Sequence, residues 1–362
     1  MTFLLLLVAL ASQGPPRQAD APPVAVSWTA ALGQKSEWYA TSEARAIADN
    51  VLPYQSVHGA WPKNTDLTKP LTPEITAAIE QTGEANTIDN GATTTPMRFL
   101  ALVNAAKDDA RYREAFQRGL DYLLASQYAN GGWPQFFPLR EGYYSHITYN
   151  DDAMVNVMTM LRDVGAGMPI YAFVDQSRKT KAVAAVARGI DVILRTQVKQ
   201  GGKLTAWCAQ HDEKTLEPAW ARRFEPPSLS GSETVGIARF LMGIEKSSPA
   251  IVAAIEAAVA WSRASAISGI RYEDFTGEDG KKDRRVVADP GAKPIWARFY
   301  DLSSNRPIFM GRDSVVRYAV SEIEYERRNG YAYYGIWPES LLSRDYPRWR
   351  EKQDAAVGKP GR

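Results

Sequence analysis

The chain has 362 residues, 45% of them apolar, with a formal net charge of +2 and a pI near 8.4. That is enough apolar material for one large domain or two small ones, and too mild a charge for a nucleic-acid partner, whose surface would show as a basic run with interleaved aromatics. The single cysteine, Cys208, excludes a disulfide framework and a cysteine metal cluster, and reads as a small buried apolar side chain.

In chain order, Thr2 to Ser12 is an apolar block too short to span a bilayer. Its end, Ala9-Leu10-Ala11, fits a signal-peptidase site, although no Lys or Arg precedes the block. A polar, Pro-rich stretch from Gln13 to Pro23 follows, so residues 1–23 are predicted as signal peptide and linker and the protein as secreted or periplasmic. No other segment approaches membrane-span length. Helical periodicity and start signals then predict helices over Thr41–Asp49, Thr72–Ile79, Thr95–Ala106, Ala110–Ser126, Asp151–Val164, Arg178–Thr196, Ser232–Ile244, Pro249–Ala264 and Asp313–Arg327. Between Gly269 and Gly311 the period breaks down, and Arg285–Ala288, Ile295–Tyr300 and Pro307–Met310 read as short strands of an insertion that carries side chains over a cleft. Residues 351–362 read as a polar, disordered tail, leaving residues 24–350 as the folded domain.

A repeat gives the helices an architecture. Gln55-Ser-Val-His-Gly-Ala-Trp61-Pro62 recurs as Gln127-Tyr-Ala-Asn-Gly-Gly-Trp133-Pro134, 72 positions on, and a degenerate copy runs from Gln197 to Trp207, offset by 70. Each unit reads as a helix pair closed by a Gly-Trp loop. Units that cannot bury their own faces stack side by side, and about three such pairs predict an all-α fold, an incomplete α/α toroid whose open side is a cleft.

Oxygen-bearing side chains stand at two helix starts: Asp89-Asn90, and Asn150-Asp151-Asp152. Carboxylates and amide carbonyls suit a hard cation such as calcium; equally, Asp and Asn are ordinary helix caps. Arginines cluster at Arg222-Arg223, at Arg298 and from Arg306 to Arg312, and a guanidinium fork matches a carboxylate in bidentate fashion. Trp61, Trp133 and Tyr149 are either platforms for sugar rings or core packing. Three histidines, His58, His146 and His211, make no His-rich metal cluster, and no G-x-S-x-G elbow is present. Ser230-Gly-Ser232 reads as a helix cap before Glu233.

Five motifs in order, Asn130-Gly-Gly-Trp-Pro-Gln135, Ile147-Thr-Tyr-Asn-Asp-Asp-Ala-Met154, Trp207-Cys-Ala-Gln-His-Asp212, Ala221-Arg222 with Phe224-Glu225, and Ser228-Leu-Ser-Gly-Ser-Glu233, resemble the pectate lyases of polysaccharide lyase family ten. The likeness runs from Trp28 to Leu342. It implies a monomeric, calcium-dependent, endo-acting lyase that cleaves polygalacturonate by β-elimination, with no membrane or nucleic-acid partner. It also implies roles: Asp89, Asn90 and Asp151 for Ca2+, Arg222 as Brønsted base, and Arg312, with Arg306 a weaker match, for substrate. Arg223 stands where the family has a small residue, which leaves the choice between Arg222 and Arg223 open. Trp133 and Tyr149 are expected beside the sugar.

Three other readings compete. The Gln-x-x-x-Gly-x-Trp repeat also resembles that of the toroidal triterpene cyclases, but there is no Asp-x-Asp-Asp motif, the chain is short for two such domains, and a secretion signal does not suit isoprenoid chemistry. A toroidal glycoside hydrolase would pair carboxylates such as Asp152 and Glu225. A uronan-binding protein would hold the polymer without cleaving it.

Overall fold

The structure is a computed structural model, and it describes residues 26–357. The expected signal peptide and linker, and the last residues of the tail, lie outside that range. Eight helices carry the architecture: α1 Ser42–Val51, α2 Pro73–Thr82, α3 Thr94–Ala106, α4 Ala110–Ala125, α5 Ala153–Gly165, α6 Gln176–Thr196, α7 Glu233–Met242 and α8 Pro249–Ala264. The pairs α3/α4, α5/α6 and α7/α8 pack in sequence. Within them α3, α5 and α7 neighbour one another as an inner layer, and α6 lies between α4 and α8 as an outer layer. This is the predicted incomplete α/α toroid.

The layering follows from the apolar patterns. Outer helix α4 buries Tyr112, Ala115, Phe116, Gly119, Leu120 and Leu123, a one-sided stripe at helical spacing, while inner helix α5 buries residues on most sides, from Ala153 to Val164. Each repeat tryptophan is fully buried and donates its indole N–H to a carbonyl in the last turn of the preceding outer helix: Trp61 to Val51 (2.9 Å), Trp133 to Leu123 (2.7 Å), Trp207 to Ile193 (2.8 Å). Room for the first two rings comes from Gly119 and Gly189, where a Cβ would press on Trp61 and Met97, or on Trp133 and Met158.

The repeat glutamines lock adjacent outer helices. Each side-chain amide donates to its own loop and across to the next outer helix: Gln55 to Gly59 and Ala115, Gln127 to Gly131 and Ala185, Gln197 to Thr205 and Ala254. Arg118 and Arg188 complete the first two locks by donating to the glutamine oxygens. In the degenerate third copy Ala257 occupies the equivalent helical position, three residues beyond Ala254, and the Gln197 Oε1 is left without a partner.

The irregular insertion contains an antiparallel hairpin, Ile270–Thr276 with Lys282–Ala288, and a four-stranded sheet ordered Val316–Arg317, Pro307–Met310, Phe299–Tyr300, Leu229–Ser230. Pairing of Ser230 with Phe299 ties the insertion to the start of α7. Two expectations are corrected. Residues 313–327 do not form one helix: Ser314 at φ 61 turns the chain so that Val316 pairs with Met310, and helix is confined to a 3-10 turn at Val320–Glu322 and an α-helix at Tyr325–Gly330, so strand pairing overrides local periodicity. The supposed disordered tail is helical as far as Val357, because Tyr346–Val357 buries Trp349 on the core and Arg350 pairs with Glu256 at 2.8 Å.

Candidate active site

The helices divide by how they begin. Helices α1, α2, α4, α6 and α8 are capped by side chains, those of Thr41, Thr72, Asp109, Asp175 and Ser248. Inner helices α3, α5 and α7 receive no side-chain cap from the residue that precedes them. The acidic and amide residues at these starts are therefore not spent on capping, the alternative their sequence context favours. Ser230, not Ser232, serves the start of α7: its hydroxyl accepts from the backbone of Ser232 and Glu233 and donates to the Glu233 carboxylate. Asn90 (φ 51, ψ 28) and Asp151 (φ 50, ψ 37) both sit in the left-handed region before their helices, a strain that Asn and Asp bear better than other side-chain-bearing residues.

These starts meet in one cleft of about 290 Å³, whose walls include Asp89, Asn90, Asn150, Asp151, Gln135, Gln210, Lys63, Arg222 and Glu225. Buried Asp89 accepts on one oxygen from both Lys63 Nζ (2.7 Å) and Gln135 Nε2 (2.8 Å). Lys63 and Gln135 each follow a repeat tryptophan by two positions, so two copies of the repeat converge on one carboxylate. Asn90 donates to Asn64 at 3.1 Å. Across the cleft, Asp151 accepts from Arg298 at 3.1 Å, and the same Arg298 nitrogen donates to the buried Glu233 at 2.6 Å. Burial would lower the Arg298 pKa, but Glu233 and Asp151 outweigh it and hold the guanidinium charged. Burial, then the charges of Glu233 and Asp151, raise the Asp152 carboxyl to about 6.

Arg222 forks onto Glu225 at 2.8 and 2.5 Å, and Tyr331 donates to the same carboxylate at 2.9 Å. Burial pulls the Arg222 pKa down, but the Glu225 partner more than reverses it. Burial would likewise raise Glu225; its bonds to Arg222 and Tyr331 hold it below the ordinary carboxylate range. Asp152, the other carboxylate of the paired-carboxylate reading, is absent from the walls of the cleft that holds Glu225, which counts against that reading.

Of the residues singled out by sequence, Asp89, Asn90, Asp151 and Arg222 line this cleft, and Arg223 does not. Arg312 is not among its walls either: it lies 5.7 Å from the Phe224 ring that also carries Arg222 at 4.8 Å, with its fork turned to Glu326. Arg306 is engaged elsewhere, stacked 3.6 Å over Tyr318. Trp133 and Tyr149 are corrected: both are 0% exposed, with the Tyr149 hydroxyl paired to Thr196 at 2.8 Å, so neither ring can receive a sugar. Sequence reasoning missed Lys63, Gln135, Gln210 and Glu233; the repeat offset was the signal for the first two.

The donor set fits a hard cation. Besides two carboxylates and an amide, the Oε1 atoms of Gln135 and Gln210 are buried without a hydrogen-bond partner at the cleft wall, and unpaired amide oxygens are ligands that calcium accepts. A separate group, His146, Asp212 and Glu213, has the spacing to hold a metal but is absent from the cleft lining. Among the described residues no helix is long and apolar enough to cross a membrane.

Residues 55–342 match the model of the pectic acid lyase family. A solved structure described as a family 10 polysaccharide lyase from Cellvibrio cellulosa is similar at 35% identity and a TM-score of 0.75, over 86% of this chain and 94% of that one. A second, an aspartate-to-alanine mutant of a Cellvibrio cellulosa family 10 lyase in complex with trigalacturonic acid, matches at 34% identity and a TM-score of 0.74, over 88% and 98%. No curated protein matches. The likeness covers both the helical scaffold and the loops that build the cleft, and the chain belongs to the pectic acid lyase family, as a pectate lyase that acts on polysaccharide.

Proposed function

We propose that the chain cleaves polygalacturonate internally by calcium-assisted β-elimination in the cleft between the starts of α3 and α5. One observation carries this reading: Asp89, Asn90, Asp151 and Arg222, far apart in sequence, line the same cavity. The trigalacturonic acid bound by the similar Cellvibrio protein supports the substrate class.

The proton on C5 of a galacturonate is weakly acidic, and its removal requires that charge spreading onto the C6 carboxylate be neutralised. Asp89, Asn90 and Asp151 would hold the calcium ion, which supplies Lewis-acid neutralisation at that carboxylate. Lys63 and Arg298 meanwhile position the two carboxylates. Arg312, which shares the Phe224 ring with Arg222, would clamp a further uronate through its fork after leaving Glu326. Arg222 would take the C5 proton. A guanidinium stays protonated under ordinary conditions, and Glu225 strengthens that preference here. Arg222 therefore has to leave Glu225 before it can act, with the Tyr331 hydroxyl remaining on that carboxylate, and nearby positive charge must lower its pKa. An alkaline optimum follows.

The open cleft suits an internal stretch of polymer, a single chain suffices to build it, and the apolar N-terminal block supports export. The test is absorbance of the C4–C5 double bond on polygalacturonate, with and without chelator. The reading requires absorbance that chelator abolishes. Reducing ends released without absorbance would mean hydrolysis, and binding without either product a uronan-binding protein.

A further inference from the structure

Beside the cleft lies a second cavity of about 450 Å³ that shares Lys63, Asn64 and Asn90 with it. A polymer running through the cleft and over this wall would place another sugar there. The lining differs in kind from that of the cleft. It holds Trp28, half-buried with its ring edge-to-face on Phe99 at 5.6 Å, together with Pro62 and the hydroxyls of Thr29 and Thr95. Aromatic rings and small hydroxyls of this sort receive a pyranose by stacking and hydrogen bonding.

Charge decides which pyranose. The lining cation, Lys63, is tied to Asp89 at 2.7 Å, so it offers a uronate little that is not already committed. The lining acid is Asp66, whose carboxylate accepts from the Thr68 hydroxyl (2.6 Å) and backbone N–H (3.2 Å), bonds that favour its ionised form. Lys69 stands 3.5 Å from Asp66, but both are exposed, where such a pair is weak. A free uronate in this cavity would meet a carboxylate with no spare cation. The uncharged unit of a galacturonan is its methyl ester, and an ester methyl gains apolar contact with Trp28 and Pro62.

We infer that this cavity is a subsite for a methyl-esterified galacturonate adjoining the cleft, so that the enzyme requires a free carboxylate at the reacting sugar and prefers an ester beside it. The inference rests on the lyase reading above. The experiment compares kcat/KM on unesterified and on partly, randomly esterified polygalacturonate for the parent, Asp66→Lys, Asp66→Asn and Trp28→Ala, with thermal melts to verify folding. Asp66→Lys should shift the ratio toward the unesterified polymer by roughly ten-fold, Asp66→Asn should shift it part of the way, and Trp28→Ala should raise KM chiefly on the esterified polymer. A ratio unchanged in a folded Asp66→Lys protein overturns the subsite. Titration calorimetry with esterified and unesterified oligogalacturonates reads the same ratio without turnover. A parent that yields no unsaturated product would thus defeat the lyase reading, and the subsite would then stand or fall on the binding ratio.

Discussion

The neighbours Arg222 and Arg223 differ in surroundings more than in chemistry. Both are exposed, but the first is in the cleft, forked on Glu225 and stacked on Phe224, and the second is outside it. Arg222→Lys should cut turnover by about a hundred- to ten-thousand-fold, the range for losing a general base, while binding persists. Arg223→Ala should stay near the parent, and steady-state rates with affinities for both variants check this. Asp151→Ala should abolish calcium-dependent turnover with the fold intact, since Asp151 is half-exposed and its loss leaves Arg298 paired with Glu233. Retained activity at low calcium would remove Asp151 from the site. His211 makes a prediction about pH. It is fully buried and its Nδ1 is paired with the Leu216 carbonyl, and burial lowers its pKa from 6.5 to about 4. As pH falls, the unfolded chain takes up the proton first. Stability from this group is therefore complete above 6.5 and lost toward pH 4, by about 3 kcal/mol at most. Melting temperatures of the parent and His211→Gln should converge over that window.

At the level of elements, the toroid is held by the glutamine locks between outer helices. Gln127→Leu would remove the bonds to the Gly131 and Ala185 carbonyls and to the Arg188 guanidinium together, and should cost about 3 kcal/mol in urea unfolding. The converse is also open to measurement. Ala257→Arg would set a guanidinium where Arg118 and Arg188 stand in the other copies, give the orphaned Gln197 oxygen a donor, and stabilise by about 1 kcal/mol. An unchanged unfolding midpoint would show that the third lock does not need its arginine. Another division between elements concerns helix starts. Outer helices spend a side chain on capping, whereas inner helices α3 and α5 leave their first turns without one, beside side chains that point to chemistry. In sequence the two cases look alike, because Asp109 before α4 and Asp152 before α5 are the same residue type at the same helical position.

On the scale of the molecule, the cleft is built by stretches far apart in sequence, among them the loops after Trp61 and Trp133, the start of α3, the start of α5, and the stretch from Gln210 to Glu225. A ligand bridging Asp89 and Asp151 therefore ties two repeats together. Calcium should raise the parent's melting temperature, by an amount equivalent to about 2.7 kcal/mol at roughly a hundredfold excess over Kd, and should fail to do so for Asp151→Ala. The all-α class, the repeat, most helix positions and the family resemblance were legible in the sequence, because they rest on periodicity, glycine and tryptophan spacing, and contiguous motifs. The side chains of the site were legible only as candidates. Whether Asp151 caps a helix or faces a cleft depends on a left-handed backbone that packing imposes. Whether Trp133 meets a sugar or the core depends on Gly189, which admits the ring beneath the next helix. The false helix at 313–327 and the unforeseen one over Tyr346–Val357 have the same origin: partners distant in sequence, Met310 for the strand and the α8 surface for the helix. Local pattern determined which elements this chain forms; which carboxylates, amides and guanidinium groups share a cleft was decided by tertiary packing, because their proximity comes from stacked repeats rather than from neighbouring residues.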